Sequence, residues 1–268
     1  MNVGLIGFGK TGKSVASVLL ESKETTLKWI IRKSSVLEHR SASEFLGIKS
    51  DEPAILYSIE GLNIGQLLDK FPVDVIVDFS SETGIDFYGK EAAKRGLTII
   101  SAVSKYSEEK LAFIDSLANE TKVMHSPNIT LGINFLMIAA KILKNIAPYT
   151  DIEIIEEHFK TKQEVSGTAK IIAKNLDISF DSIKTIRAGG IVGVHEILFG
   201  FPYQTVRLKH ESISREAFGN GIIFAINNIP LKKTGLFTME ELLIPYFHLN
   251  MPEQEFIKEN KNPWWKIW

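Results

Sequence analysis

The chain has 268 residues, a net charge of −1, 44% hydrophobic and 24% charged residues, and no cysteine. That length and apolar content allow one large or two modest domains with an ample core. The balanced charge gives no sign of a nucleic-acid partner, and the missing cysteine excludes disulfides, thiolate metal sites and a Cys nucleophile. The chain enters an apolar strand at once, with no basic segment leading into a long apolar run, and no window approaches eighteen uninterrupted apolar residues. A soluble cytoplasmic protein with no membrane partner is the expectation.

Residues 2–6 read as a short apolar strand. Gly7-Phe8-Gly9-Lys10-Thr11-Gly12 follows, and Val15, Ala16, Val18, Leu19 and Leu20 then give an apolar helical face. G-x-G-x-x-G between a strand and a helix is the context of a dinucleotide-binding turn. Gly7 serves the tight turn, Gly9 the approach of the pyrophosphate, and Gly12 the packing of helix on strand. Residues 27–31 read as a second strand. It ends in Arg32, Lys33, Ser34 and Ser35, without the acid that usually binds a ribose 2′-hydroxyl. A cationic, hydroxyl-rich corner suits a 2′-phosphate, so NADPH is expected over NADH.

Residues 39–51 are polar and helical or loop-like, and 54–57 form a candidate short strand. Residues 73–80 read as a buried parallel strand, 84–96 as a helix, 97–100 as a strand, 108–118 as a helix and 122–125 as a strand. This alternation predicts a Rossmann-type doubly wound parallel sheet. Ser80 and residues 101–104 fall at strand C-terminal ends, where such sheets bind ligands.

Ser126-Pro127-Asn128 breaks the pattern and is taken as the domain boundary. A mostly apolar helix is expected over 131–146, then a half-buried strand carrying Ile152, Ile154 and Ile155. A charged loop with His158 and Lys162 follows, then a helix from Thr168 to Leu176. Ser166 is a candidate N-cap, leaving the N–H groups of Gly167, Thr168 and Ala169 to face an anion at the positive end of the helix. Strands over 182–187, 193–199 and 205–210 and a helix over 216–226 complete an α+β domain with an open mixed or antiparallel sheet. Residues 235–243 read as a turn and a capped helix start, and the tail from 244 carries Tyr246, Phe247, Trp264, Trp265 and Trp268. His125 and His210 read as satisfied strand-end residues. The histidines show no metal spacing, so no metal site is expected.

Several of these segments in order resemble dihydrodipicolinate reductase (4-hydroxy-tetrahydrodipicolinate reductase). GLIGFGKTGKSV resembles the family's glycine loop, and DVIVDFSS its strand ending in Asp-Phe-Ser or Asp-Phe-Thr. SPNITLGIN resembles its Ala-Pro-Asn-x-Ser-x-Gly motif. EIIEEHFKTKQEVSGTA resembles its signature Glu-x-His-His-x-x-Lys-x-Asp-x-Pro-Ser-Gly-Thr-Ala, while IRAGGIVGVHEILF, the region of residues 214–218 and GLFTMEELL keep the family order.

The resemblance implies a cofactor domain of residues 1–126, with 235–268 returning to it, and a substrate-binding and oligomerisation domain of residues 127–234 in a homotetramer. It implies hydride transfer from NADPH, with NADH as the alternative donor, to a small cyclic imine derived from 4-hydroxy-tetrahydrodipicolinate in lysine and diaminopimelate biosynthesis. By position, His158 matches the proton donor and Lys162 the lysine that assists it. Ser166, Gly167 and Thr168 match the carboxylate loop, and Phe159 replaces a second, substrate-touching His. Phe79, Ser80, Ala102, Val103 and Asn128 join the cofactor side, and His195 matches a recurrent position that is structural or near the site. The family's Gly-Thr-Thr-Gly is replaced by Ser101-Ala102-Val103-Ser104 with Lys105 inserted, and the loop Gln163-Glu164-Val165 is one residue short and lacks its Pro. Phe159 and Val103 are expected to add apolar surface, so a paralogous reductase of a different imine is the first competing reading. A non-catalytic NADP(H) sensor is the second, and retention of both His158 and Lys162 speaks against it.

Overall fold

A computed structural model describes residues 1–230 and 233–249. Two compact units emerge from it. One comprises Met1–Leu131 with Ser214–Leu242; the other comprises Gly132–Ile213 with the described part of the chain after Leu242.

The first unit alternates strand and helix: β1 (Asn2–Ile6), α1 (Lys10–Glu21), β2 (Thr26–Arg32), α2 (Ala42–Leu46), β3 (Ile55–Ser58), α3 (Ile64–Lys70), β4 (Val75–Asp78), α4 (Gly84–Lys94), β5 (Thr98–Ser101), α5 (Glu108–Ala118) and β6 (Lys122–His125). All these strands pair in parallel, and β1 lies between β2 and β4 at the point where the strand order reverses. Helices on both faces explain why Val75–Asp78 is buried throughout and reads as a run rather than an alternation.

Three features depart from expectation. Helix α3 was not anticipated. Ile64, Leu67 and Leu68 bury one face, and the Asn63 side chain accepts from Gln66 N at 3.1 Å as its cap. Residues 235–237, expected as a turn, form a strand parallel to β6 at the sheet edge. The helix over 216–228, expected with the substrate domain, falls in the first unit. It packs on α1 closely enough that a Cβ at Gly219 would lie 2.5 Å from the Val18 side chain.

The second unit holds α6 (Leu131–Ile146), β7 (Asp151–His158), α7 (Gly167–Asn175), β8 (Ile183–Arg187), β9 (Val194–Phe201) and β10 (Gln204–Glu211). The sheet order is β10-β9-β7-β8, antiparallel except for β7 with β8, so it is mixed. Ile133 and Leu136 of α6 and Ile172 of α7 pack on Ile154, Ile197 and Phe199 of one sheet face. The described chain ends with α8 (Glu216–Asn228), β11 (Gly235–Phe237) and α9 (Met239–Leu249). Thr238 and Glu241 cap α9 reciprocally: Glu241 N donates to Thr238 Oγ1 at 3.2 Å, and Thr238 N donates to Glu241 Oε2 at 2.8 Å. Of the aromatic tail, Tyr246 is exposed and Phe247 stacks on Phe135 at 5.5 Å. Trp264, Trp265 and Trp268 lie outside the described residues. Among the described residues no helix is long and apolar enough to cross a membrane.

Candidate active site

Each unit carries a cluster of candidate functional residues. In the first, the turn from β1 to α1 sits at the C-terminal ends of the parallel strands, beside the β1–β4 switch point. Gly7 has φ 101°, and a Cβ there would lie 2.6 Å from the Phe79 carbonyl oxygen. A Cβ at Gly12 would lie 2.2 Å from the Gly7 oxygen. Both glycines are therefore required by the protein's own packing. Gly9, the N-cap of α1, differs: a Cβ there would meet nothing within 4 Å, and no side chain caps the helix. Space kept open at a helix N-terminus is what an approaching anion needs.

A cavity of about 490 Å³ lies over this turn, lined by Gly7, Phe8, Gly9, Arg32, Lys33, Ser34, Phe79 and Ser80, all expected on the cofactor side. Ile6, Ile31, Ile59, Ser81, Thr83 and Gly84 complete its wall and were not foreseen. Phe8 itself is buried against Phe45 at 5.8 Å, with the Lys13 ammonium over the Phe45 ring. Arg32 Nη1 donates to the Val36 carbonyl at 2.7 Å, which anchors the guanidinium at the cavity edge. The first acid after β2, Glu38, accepts from Ser58 N at 3.3 Å and is spent on β3.

Lys10, Thr11 and Gly12 begin α1 but do not line the cavity, nor do Ala102, Val103 and Asn128. Val103 is only 7% exposed, so it does not add the apolar surface expected of it. Its N–H donates to Ser101 Oγ, its carbonyl meets His125 Nε2 at 3.1 Å, and the Asn128 side-chain oxygen accepts from Thr130. Asp78, fully buried, accepts from Ser80 N and Oγ at 2.8 and 2.6 Å and from the Tyr88 hydroxyl at 2.9 Å. Burial raises its pKa against the pull of these bonds, and the bonds set the Phe79–Ser80 turn.

In the second unit, β7 places Ile152, Ile154, Glu156 and His158 on one buried face. His158 therefore ends a strand rather than sitting in the expected loop. The turn after it carries exposed Phe159 and half-buried Lys162. Glu156 is 0% exposed and accepts a bidentate pair from Arg187, Nη1 to Oε2 at 2.9 Å and Nη2 to Oε1 at 2.6 Å. His158 Nδ1 lies 2.5 Å from Glu156 Oε2, and Ser166 N donates to Oε1 at 3.3 Å. Burial pushes the Glu156 carboxyl up, but Arg187, His158 and the Ser166 amide together leave its pKa lowered. The carboxylate can only accept, so Nδ1 carries the proton and Nε2 is the nitrogen left to react.

Ser166 caps α7 as expected, accepting from Ala169 N at 3.4 Å. That bond consumes one of the three amides read as an anion cradle. Gly167 opens the helix, exposed, with nothing within 4 Å of a Cβ position. Ser166 Oγ also lies 2.8 Å from His195 Nε2, and the His195 ring meets that of His158 edge-on at 5.4 Å. His195 thus belongs to this cluster. His125 is satisfied as expected, whereas His210 Nδ1 is buried and has no partner among the described residues.

Glu156 and Arg187 are the functional candidates that sequence reasoning missed. The alternation of β7 carried a signal for Glu156, since an acid two residues beyond Ile154 shares its buried face. Arg187 lies in the IRAGGIVGVHEILF segment that keeps the family order, but its pairing with Glu156 follows only from the β7–β8 register, which sets it opposite His158.

Burial lowers the pKa of His125, His158 and His210, and takes His195 down to about 4. The unfolded chain then binds protons that the folded one refuses. Stability is fully present above the ordinary imidazole value of about 6.5 and is lost as pH falls toward the folded values. For His195 alone the loss is of order 3 kcal/mol. The unfolding midpoint is expected to drop steeply between pH 7 and pH 4.5, and His195→Gln is expected to flatten that slope. A midpoint independent of pH over this range, measured by thermal denaturation, would contradict it.

Comparison with known proteins gives these clusters a context. Residues 1–129 match the family model "Dihydrodipicolinate reductase, N-terminus" and residues 129–243 match "Dihydrodipicolinate reductase, C-terminus". The 4-hydroxy-tetrahydrodipicolinate reductase of Caldanaerobacter subterraneus subsp. tengcongensis is 33% identical over 196 residues, 65% of this chain and 78% of that protein. That of Clostridium novyi is 31% identical over 229 residues, 69% of this chain and 90% of that protein. Among solved structures, the dipicolinate-bound dihydrodipicolinate reductase of Paenisporosarcina sp. TG-14 shares the fold with a TM-score of 0.73 at 21% identity, covering 89% of this chain and 97% of that one. An amine dehydrogenase from Mycobacterium smegmatis shares it with a TM-score of 0.66 at 11% identity, over 90% and 95% of the two chains. With both family models matched end to end over residues 1–243, the chain belongs to the dihydrodipicolinate reductase family.

Proposed function

We propose that this protein is a 4-hydroxy-tetrahydrodipicolinate reductase acting in lysine and diaminopimelate biosynthesis, with His158 as its proton donor. The observation that carries the reading is the Glu156–His158 pair. A buried carboxylate holds the Nδ1 proton, so the imidazolium can release only the proton on Nε2. The reduced nicotinamide, when bound, supplies the hydride. The open Gly9 position and the cavity beside Arg32 and Lys33 fit such a cofactor. His158 gives the proton that balances the hydride added to the cyclic imine and is left as neutral imidazole. Lys162, whose charge already bears on His158, and the exposed Gly167 amide are placed to hold a substrate carboxylate with Ser166 and Thr168. The second face of the β7–β10 sheet presents half-buried Ile155 and Leu198 and supports a homotetramer built through it.

A second reading has one observation in its favour. Phe159, exposed at the end of β7, stands where the family places a His, and an apolar ring there suits an imine with fewer carboxylates.

Mixing the purified protein with NADPH and the fresh condensation product of pyruvate and aspartate semialdehyde tests both. Rapid loss of reduced-cofactor absorbance is expected, and oxidation only with other imines would favour the second reading. His158→Gln is expected to lower kcat by about 10²–10⁴-fold with cofactor affinity nearly unchanged; undiminished turnover would remove His158 from its role. Replacing Arg32 and Lys33 together by Ala is expected to raise KM for NADPH about tenfold or more while KM for NADH changes little. Equal effects on both cofactors would contradict the assignment of a 2′-phosphate site.

A further inference from the structure

The guanidinium of Arg187 is saturated. Nε donates to the Lys162 carbonyl at 3.0 Å. Nη1 donates to Glu156 Oε2 and to the Ile186 carbonyl, both at 2.9 Å. Nη2 donates to Glu156 Oε1 at 2.6 Å and to the Glu164 carbonyl at 2.9 Å. A guanidinium has five N–H donors, and all five are used. The Glu156 carboxylate is equally occupied: Oε1 also accepts from Ser166 N, and Oε2 from His158. One fork therefore ties the strand end bearing His158, the turn bearing Lys162 and the residue that caps α7.

We propose that Arg187 is a positioning residue for the reaction, acting through Glu156 on the His158 proton and through two backbone carbonyls on the Lys162 turn. The inference rests on the reading of His158 as proton donor. Its chemistry follows from charge. Alone, a buried Glu156 carboxylate would hold His158 as a permanent imidazolium, closed in an ion pair and reluctant to release its proton. Arg187 supplies the counter-charge that prevents this while leaving the carboxylate able to fix the Nδ1 proton. Lys cannot substitute, because a point charge with three donors cannot hold both carboxylate oxygens and two carbonyls at once. Other groups facing His158 are Lys162 and neutral His195, with the Gly193 backbone against the ring: a Cβ there would lie 3.2 Å from Nε2.

The test is the pH dependence of kcat/KM, which falls as pH rises through the titration of the donor. Glu156→Gln removes the anion that favours imidazolium, so the falling limb is expected to move to lower pH. Arg187→Met removes the opposing cation, so the limb is expected to move to higher pH. Each shift is about one pH unit or more. Arg187→Lys keeps the charge, so its limb is expected to stay near that of the wild type. Its kcat is expected to fall by about tenfold to a hundredfold through misplacement. A purely structural salt bridge would lower the unfolding midpoint in all three variants and leave the limb where it was.

Limbs that do not move, or that move in the same direction for Glu156→Gln and Arg187→Met, would overturn the proposal. Should Arg187→Met fail to fold, Glu156→Gln against Arg187→Lys decides: only the first is expected to displace the limb. Full turnover by His158→Gln would instead overturn the reading of the donor itself. An inactive His158→Gln beside unmoved limbs would overturn the role of Arg187 alone.

Discussion

A fully buried carboxylate on the core face of a strand is the constraint around which the second unit is arranged. Desolvating Glu156 costs several kcal/mol, and the cost is recovered only if its oxygens are filled with good geometry. They are filled by Arg187, His158 and the Ser166 amide, drawn from β8, the end of β7 and the cap of α7. Removing one partner from such a group costs about 3–5 kcal/mol, far more than an exposed pair would. The fold and the proposed chemistry therefore depend on the same few bonds. The carboxylate that must be satisfied to bury β7 is also the group that decides which His158 nitrogen can react.

The first unit solves a different problem with backbone rather than charge. Gly7 and Gly12 bring the end of β1, the start of α1 and the Phe79–Ser80 turn so close that any side chain would collide with a carbonyl. Gly9 stays open. Asp78, held by Ser80 and Tyr88, sets the turn on the facing strand. A cavity suited to a polyanion is thus bordered by amides and a helix terminus, with Arg32 and Lys33 in its lining.

Much of this was legible in the sequence because the physical signal was local. The strand–Gly–helix order of residues 2–20, the parallel strand runs and the Ser166 cap each involve neighbours along the chain, and each appears where it was expected. Helix α3 has the i, i+3, i+4 spacing of Ile64, Leu67 and Leu68 behind the Asn63 cap, but in only seven residues, so its periodic signal is short. The strand over 235–237 owes its conformation to β6, more than a hundred residues away. His158 was expected in a loop because charged residues flank it, yet its alternation with Ile152 and Ile154 continues the strand. Arg187 stood in a segment that keeps the family order, but its partner could not be read from it, since the pairing depends on a register between β7 and β8 that neither segment encodes alone.

The most direct measurement is the tautomer of His158, read from ¹⁵N chemical shifts of the imidazole nitrogens in the free protein above its titration. A ring held by an ionised Glu156 carries its proton on Nδ1 and leaves Nε2 unprotonated, and that is the result the account predicts. A neutral ring protonated on Nε2 would mean that Glu156 does not orient His158, and would contradict the central claim.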